Sequence, residues 1–256
     1  MKILAVGDIV GDVGMKELRE KLPEIKKREG IDFIVINGEN AADGMGINEN
    51  IFKELLALGA NVITMGNHTW GKKDIFNFID HKQLIRPANY SRGVPGHGYT
   101  ICEEHGKKIA VINLIGRAEM GVQSDNPFTK VEDIIEEIKN KVDIIIVDFH
   151  AEATAEKIAM SYFLDGKATI LFGTHTHVQT ADEKIMENGL AYITDIGMTG
   201  AKKSVIGMEV EASLKRFCTS LPERYKSATG EGMINGCVFD VDDATNKVKS
   251  IKRIFE

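Results

Sequence analysis

The chain has 256 residues, of which 43% are hydrophobic and 27% charged, and its formal net charge is -6. This length and composition predict one large α/β domain over residues 1–256, with a substantial buried core. The acidic balance argues against binding along long nucleic acid, which depends on neutralising many phosphates. A small anionic substrate held by metal ions is compatible with it.

The beginning of the chain predicts a cytoplasmic protein. Its first residues form a strand-like apolar run without a charged leader or a cleavage site. No apolar stretch reaches the length that spans a bilayer, so no membrane association is expected. Cys102, Cys218 and Cys237 lack paired close spacing, and we expect reduced, buried thiols.

The first two thirds of the chain alternate apolar runs with helical patterns, a rhythm that predicts parallel strands. The runs are rich in Val and Ile throughout, which indicates that both faces of the sheet are covered. Strands are predicted at residues 3–6, 33–36, 62–65, 109–114, 144–147 and 169–172, and helices at 15–28, 48–58, 73–79, 131–139 and 153–164.

The last third of the chain has a different pattern and is expected to complete the sheet. A strand at 191–194 precedes a Gly- and Lys-bearing segment at 197–207 and a short helix at 211–218. Residues 237–241 and 248–254 predict an antiparallel hairpin. The segment 202–232 is expected to cover the functional site or to form a subunit contact, so homo-oligomerisation stays open.

Residues that can bind metal follow the predicted strands at their carboxyl ends, the edge where open α/β sheets form ligand sites. Their carboxylate, amide and imidazole groups suit manganese, iron or zinc better than magnesium or calcium. These candidate residues are Asp8, Glu39, Asn67, His68, His150, His175 and His177.

Each candidate also has a purely structural explanation. Asp8 would be a reasonable helix cap, Asn67 a turn residue and His150 a hydrogen-bonded core histidine. A His-x-His pair such as His175 and His177 is more often a surface feature than a pair of ligands. Five strand ends would then need unrelated reasons to carry ligand-type side chains, so a shared metal site is the better interpretation.

Two candidates have a specific chemical expectation. Glu39 offers two carboxylate oxygens, the simplest means of bridging two cations that share a hydroxide. His68 follows Gly66 and Asn67 at a strand end, where glycine allows a close approach to a ligand. We interpret His68 as a general acid.

Five motifs occur in an order and spacing that cover most of the chain: Asp8, Gly38-Glu39-Asn40, Gly66-Asn67-His68, His150 and Gly173-Thr174-His175-Thr176-His177. Together they resemble the calcineurin-like metallophosphoesterase superfamily. The resemblance is strongest to its bacterial YmdB-type branch, which is similar in length and has Gly-Glu-Asn where the wider superfamily has Gly-Asp. It implies an αββα four-layer sandwich with two metal ions at its rim.

The resemblance also implies a role for each motif residue. Glu39 would bridge the two metals, and His68 would be the acid beside the leaving oxygen. Asn40 would complete the shell of the first metal or contact the phosphate. The remaining ligands would be Asp8 and His177 for the first metal, and Asn67, His150 and His175 for the second.

Val10 departs from the superfamily pattern, which has Asp-x-His at the first motif. Valine cannot bind metal, so the first site is weaker or differently tuned unless Asn40 compensates. The resemblance suggests iron or manganese, and ligand chemistry leaves the choice between them open.

The function expected from these residues and the resemblance is hydrolysis of small phosphodiesters, with 2′,3′-cyclic nucleotides as the substrate class. A hydroxide bridging two metals would attack the phosphorus, and His68 would protonate the departing ribose oxygen. No metal motif carries a basic residue beside its ligands, as a pocket specialised for phosphomonoesters usually would.

Two other functions compete with this interpretation. Gly7, Gly11 and Gly14 follow a strand and precede a helix, with Glu39 after the second strand, as in a Rossmann-like dinucleotide-binding protein. Their spacing is not G-x-G-x-x-G, and the histidines stay unexplained. The missing first-motif histidine also suits a metal-binding regulatory module with little catalysis.

Overall fold

The computed structural model of the chain describes residues 1–224 and 226–256. Its helices are α1 (Gly11–Glu29), α2 (Glu49–Ala57), α3 (Pro127–Ile138), α4 (Thr154–Leu164) and α5 (Val210–Thr219), with a 3₁₀ helix at Lys73–Asn77. Its strands are β1 (Lys2–Val6), β2 (Asp8–Ile9), β3 (Phe33–Asn37), β4 (Val62–Thr64), β5 (Leu84–Ile85), β6 (Tyr99–Glu104), β7 (Lys107–Ile115), β8 (Ile144–His150), β9 (Ile170–Thr174), β10 (Lys184–Ile185), β11 (Ala191–Ile193), β12 (Met198–Ala201), β13 (Gly232–Met233), β14 (Asn235–Val241) and β15 (Val248–Phe255).

The described residues form two six-stranded sheets and one small sheet. The first large sheet has the order β15-β14-β1-β3-β4-β5, and the second has the order β10-β11-β9-β8-β7-β6. The central strands of each are parallel, as the sequence pattern predicts. Antiparallel strands form one edge of the first sheet, the predicted hairpin of β14 and β15, and both edges of the second.

Residue alternation along β1 shows why the two large sheets stack. Ile3 and Ala5 point to one face and belong to the buried cluster that also contains Val111 of the second sheet. Leu4 and Val6 point to the opposite face, where the helices lie. Both faces of β1 are therefore buried, which explains its continuous apolar sequence.

Helices cover the outer face of each large sheet. Leu18 of α1 and Leu55 of α2 pack in one cluster with the outer residues of the first sheet. Val131 of α3 and Met160 of α4 pack in another with those of the second. These layers confirm the αββα sandwich, and two stacked sheets are incompatible with the single open sheet of a dinucleotide-binding fold.

Three sequence expectations need correction. The segment predicted as a helix at 73–79 forms the short 3₁₀ helix instead. The edge strand β6 was not predicted, because its sequence YTICEE is half-exposed and polar at one end. Cys218 is exposed on α5, and only Cys237 of the three free thiols is fully buried.

The small sheet, with the order β13-β12-β2, lies where β1 ends and positions Asp8. Asp8 pairs with Met198 in the parallel ladder between β2 and β12. A side-chain carbon on Gly7 would lie 2.0 Å from the carbonyl oxygen of Gly197, so the chains can approach this closely only with glycine there. In the described part of the chain, no helix combines the length and apolarity needed to cross a membrane.

Candidate metal centre

The candidate residues meet at the carboxyl ends of strands from both large sheets. Asp8 lies in β2, and the other residues lie at or just after the ends of β3, β4, β8 and β9. The structure brings together every residue that the sequence analysis assigned to the site, namely Asp8, Glu39, Asn40, Asn67, His68, His150, His175 and His177.

The imidazole of His150 is the centre of one group of ligand atoms. Its Nε2 lies 2.9 Å from Asn67 Oδ1, 3.0 Å from His175 Nδ1 and 3.1 Å from Glu39 Oε1. Glu39, His150 and His175 are also the described carboxylate and imidazole residues whose ligand atoms all lie within 4.8 Å of one another. His150 and Glu39 have no exposed surface.

These separations fit a metal ion. Ligand atoms about 2.1 Å from one ion and at right angles to each other lie about 3.0 Å apart. The ring nitrogens of His150 and His175 face each other at 3.0 Å, so at most one hydrogen fits between them. A cation would instead accept the lone pairs of both ring nitrogens, with Glu39 and Asn67 as its further ligands.

Asp8 and His177 form a second group. Asp8 Oδ1 is buried without a hydrogen-bond partner among the described residues, an arrangement that is costly unless a cation compensates it. His177 Nε2 lies 4.0 Å from this oxygen. The other oxygen of Asp8 accepts a hydrogen bond from the His175 backbone at 3.2 Å, which fixes the carboxylate.

Glu39 lies between the two groups. Its Oε1 is 3.1 Å from His150 Nε2 and accepts a hydrogen bond from Asn40 Nδ2 at 3.2 Å, while the same Nδ2 lies 3.0 Å from His177 Nε2. Glu39 Oε2 accepts a hydrogen bond from the His68 backbone at 3.0 Å. A buried carboxylate between two sets of ligands is the geometry that bridging requires.

Asn40 connects His68 to these ligands. Its Oδ1 lies 2.8 Å from His68 Nδ1 and accepts a hydrogen bond from it, which leaves His68 Nε2 as the second ring nitrogen. In this orientation the amide nitrogen faces His177. Metal binding by Asn40 requires the amide to turn over, which would bring its oxygen to that side.

Burial and neighbouring charges set the protonation of the cluster. Burial raises the pKa of Asp8 to about 6 although His177 and His150 oppose the rise. Burial alone would lower the pKa of His150, but Glu39 and Asp8 raise it to about 9. Burial, together with His150, lowers the pKa of His175 to about 3. In the metal-free cluster at neutral pH, the imidazole of His150 is therefore charged and that of His175 is neutral.

The pKa of Glu39 lies well below its ordinary range. Burial opposes this, but His150 and His68 outweigh burial. The carboxylate is therefore ionised and available as a ligand.

Polar contacts outside the cluster orient His150 and His175. His150 Nδ1 lies 2.9 Å from Thr174 Oγ1, which donates to the buried carboxylate of Asp148 at 2.7 Å. His175 Nε2 lies 3.2 Å from Glu152 Oε2. Such partners hold the tautomer and the ring direction of metal-binding histidines.

A buried ion pair supports the loop of His175 and His177. Asp195 Oδ2 accepts hydrogen bonds from Lys157 Nζ at 2.8 Å and from the backbone and side chain of Thr176 at 3.1 and 2.7 Å. His175 and His177 have φ angles of 95° and 66°, which strain non-glycine residues. Anchoring Thr176 between them keeps both imidazoles in the cluster.

Gly66 makes room for the ligands. A side-chain carbon at this position would lie 2.4 Å from both Glu39 Oε2 and His150 Nε2. The glycine before Asn67 is therefore required by the ligands themselves. This finding agrees with the sequence argument that a glycine at the strand end allows close approach.

Val10, the position that departs from the superfamily, is buried beside Gly207. It is 2% exposed, and it leaves little space beside Gly207, where an added side-chain carbon would lie 2.6 Å from Val10 Cγ1. Its backbone forms a bridge with Asn40. Val10 is also the residue that precedes α1, so Asp8 is not the cap of this helix.

The cluster opens into a cavity of about 400 Å³. Glu39, Asn40, His68, His175 and His177 line its polar side, and none of its described lining residues is Lys or Arg. Val205, Ile206, Met208, Ser213 and Phe217 also line the cavity, so part of the predicted segment 202–232 covers the site. Tyr225 of that segment lies outside the described residues.

The supporting residues Asp148, Lys157 and Asp195 were not identified from the sequence. Asp148 precedes His150 by two residues on β8 and could have been found from that alternation. Lys157 and Asp195 are distant in sequence and have no motif, so only the fold brings them together.

Known proteins match the whole chain. The model of the family described as YmdB-like protein matches residues 4–254. A 2′,3′-cyclic-nucleotide 2′-phosphodiesterase of Bacillus subtilis is 48% identical over 99% of this chain and 96% of its own length. A crystal structure described as a novel phosphatase of Mycoplasma pneumoniae has a TM-score of 0.94 at 37% identity and covers 100% of this chain and 93% of that chain.

A further crystal structure, of a hypothetical protein from Thermus thermophilus, also has a TM-score of 0.94. It is 34% identical and covers 100% of this chain and 99% of that chain. These matches extend over the full sandwich.

Proposed function

The chain belongs to the YmdB-like family of calcineurin-like metallophosphoesterases, and we propose that it is a metal-dependent phosphodiesterase that hydrolyses nucleoside 2′,3′-cyclic phosphates. One observation carries the proposal: a buried carboxylate, Glu39, lies between two groups of metal-type ligands at the floor of an open cavity. The Bacillus subtilis relative, with the activity in its name, supports the choice of substrate.

The donor set fits two transition-metal ions. Asn67, His150 and His175 would hold one ion, Asp8 and His177 the other, and Glu39 both. When bound, two such ions supply Lewis-acid polarisation of the phosphate and lower the pKa of a shared water. The mixture of imidazole, amide and carboxylate favours iron or manganese over magnesium or calcium.

His68 would supply the proton for the leaving group. As a water oxygen forms a bond to phosphorus, the bond from phosphorus to O2′ breaks and its electron pair stays on O2′. The Nδ1 hydrogen of His68 is held by Asn40 Oδ1, so Nε2 is the nitrogen that would carry the transferred proton. The product is a nucleoside 3′-phosphate.

The charge of the cavity favours a diester. A phosphomonoester carries nearly one more negative charge than a cyclic diester, and sites built for it usually add Arg or Lys. The described lining includes the carboxylates of Asp43 and Glu152 and neither Lys nor Arg. Asp43 is paired with Lys72 at 3.0 Å, so the carboxylate of Glu152 is the one that would repel the additional charge of a monoester.

The wild-type enzyme loaded with Mn²⁺ tests the proposal. We expect kcat/KM for 2′,3′-cyclic AMP to exceed the values for 3′,5′-cyclic AMP, AMP and a short RNA. Glu39→Gln removes the charge of the side chain and keeps its shape. Loss of turnover in this variant would show that the measured activity depends on the cluster. Preference for AMP, or no turnover of either cyclic ester, would contradict the assigned substrate.

A regulatory role with little catalysis predicts bound metal without turnover in the same assay.

We also propose that residues 1–256 form one domain, since both large sheets contribute to one buried cluster. Limited proteolysis would test this, because a second folded unit would give a stable fragment.

A further inference from the structure

The cavity above the cluster has an apolar wall formed by Met45, Val205, Ile206, Met208 and Phe217. Three of these side chains are far more exposed than is usual for their size, Met45 at 51%, Ile206 at 49% and Phe217 at 74%. Large apolar groups exposed beside a polar cavity are typical of a binding surface. The wall and the metal-type ligands face one space of about 400 Å³.

The wall is built onto the ligand cluster. The carbonyl of Ile206 accepts a hydrogen bond from His177 Nδ1 at 2.8 Å. Val205 and Met208 pair through their backbones at 2.9 and 3.0 Å. Met208 in turn packs on the loop before Met45, because a side-chain carbon on Gly44 would lie 2.9 Å from Met208 Cε. The part of the wall formed by Val205, Ile206 and Met208 therefore has a fixed place relative to the cluster.

We propose that this apolar wall is the binding site of the substrate's nucleobase, with the ring of Phe217 as the surface on which the base stacks. The proposal rests on the proposed function, since it assumes that the cyclic phosphate lies at the cluster. A volume of about 400 Å³ falls in the range of small-molecule sites, roughly 300–1,000 Å³. It accommodates a phosphate, a ribose and a base together.

The chemistry of the wall also determines its selectivity among bases. Its five side chains carry no hydrogen-bond donor, and their only polar atoms are the weakly accepting sulfurs of Met45 and Met208. Stacking on an aromatic ring accepts every base, since each has a π-face. The enzyme should therefore hydrolyse the 2′,3′-cyclic phosphates of all four nucleosides with similar kcat/KM, purines somewhat better.

Phe217→Ala in the Mn²⁺-loaded enzyme is the central test. Two substrates are compared: 2′,3′-cyclic AMP, and 1-O-methylribose 2′,3′-cyclic phosphate, which has the same reacting group and no base. We expect Phe217→Ala to lower kcat/KM for the nucleotide about tenfold or more and to leave the base-free ester unchanged. Phe217→Trp should restore the value for the nucleotide.

Leu214→Ala is the matched control. Leu214 lies on the same helix and is 54% exposed, but it does not line the cavity. We expect it to behave as wild type with both substrates. Light scattering at the assay concentration tests the rival occupant of this surface, a second copy of the chain.

The outcomes separate this proposal from the proposed function. Unchanged nucleotide turnover in Phe217→Ala, or an equal loss with both substrates, overturns the base-binding site. A lower molar mass for Phe217→Ala than for wild type in light scattering would also overturn it, because the loss of activity would then come from separation of two copies of the chain. Absence of any turnover of 2′,3′-cyclic AMP by the wild type would instead contradict the proposed function itself.

Discussion

The ammonium group of Lys157 lies 2.8 Å from the carboxylate of Asp195, and both side chains are almost completely buried. The pair lies beneath the loop of the candidate ligands His175 and His177, and it holds Thr176 between them. A charge pair removed from water in this way is not by itself strong evidence of stabilisation. Its position instead points to a role in orienting the two histidines.

Changing this pair should separate stability from metal binding. Asp195→Asn leaves the buried ammonium uncompensated, and we expect a loss of about 3–5 kcal/mol in the free energy of unfolding. The double variant Lys157→Met with Asp195→Asn removes both charges and should recover part of it. Urea denaturation of the metal-free proteins measures this effect.

The double variant should still bind Mn²⁺ about 10–100-fold more weakly than wild type, because a neutral amide oxygen anchors Thr176 more weakly than the carboxylate does. Calorimetric titration measures the affinity. Wild-type affinity in a destabilised variant would show that the pair acts on stability alone.

Glu39→Gln should fold normally and lose at least one metal ion. The amide is nearly isosteric, but it lacks the charge placed between the two ligand groups. Changes to residues that only orient ligands lower metal affinity roughly 10–100-fold, and we expect a larger loss of metal affinity in Glu39→Gln. Glu152→Gln is the matched control, because its amide oxygen can still accept from His175 Nε2. Full metal content in Glu39→Gln would refute bridging.

His68→Ala should keep its metal and lower kcat by about 10²–10⁴-fold, the usual contribution of a general acid. His68 contacts Asn40 and Glu39 but is not among the atoms grouped around His150. The control is His105→Asn, at an exposed histidine far from the cluster. Asparagine is chosen because it tolerates the φ of 49° at this position. Metal loss in His68→Ala would show that His68 is a ligand.

Most of the fold and every ligand candidate except Asn40 could be predicted because they follow local rules. The Val and Ile runs identify the buried strands, and ligand-type residues at their carboxyl ends identify the site, as Glu39 and His150 show. The resemblance supplied the stacking of two sheets. The pattern of apolar residues along a strand predicts that its faces are buried, but it does not predict whether the strands form one sheet or two.

The remaining features depend on contacts between distant segments. Lys157 is a lysine on an otherwise ordinary helix, and nothing in its neighbourhood in sequence indicates that Asp195 will neutralise it. The edge strand β6 has too few buried residues to show a strand pattern. In the sequence, Phe217 is only an apolar residue in a predicted helix. Its proposed role becomes visible when the structure places it beside the cavity.

Metal binding should release protons, because the charged imidazole of His150 occupies the place of a cation. Its pKa, raised from an ordinary 6.5 to about 9, leaves it protonated in the metal-free protein at neutral pH. Coordination requires the neutral ring, so loss of this proton should raise the affinity for Mn²⁺ about tenfold per pH unit between pH 7 and 9, and this contribution should level off above about pH 9. Below about pH 6, protonation of Asp8 should make the dependence steeper.

Calorimetric titrations of metal-free protein with Mn²⁺, in two buffers of different ionisation enthalpy, measure this release directly. We expect His150 to contribute about one proton per bound cluster at pH 7 and almost none at pH 10, so the release should fall by about one proton between these pH values. The same shift also affects stability. The raised pKa stabilises the metal-free fold below about pH 6.5, and this contribution is lost as the pH rises through about 9. Proton uptake on binding, or an affinity independent of pH between 7 and 9, would contradict a protonated His150 at the candidate metal position.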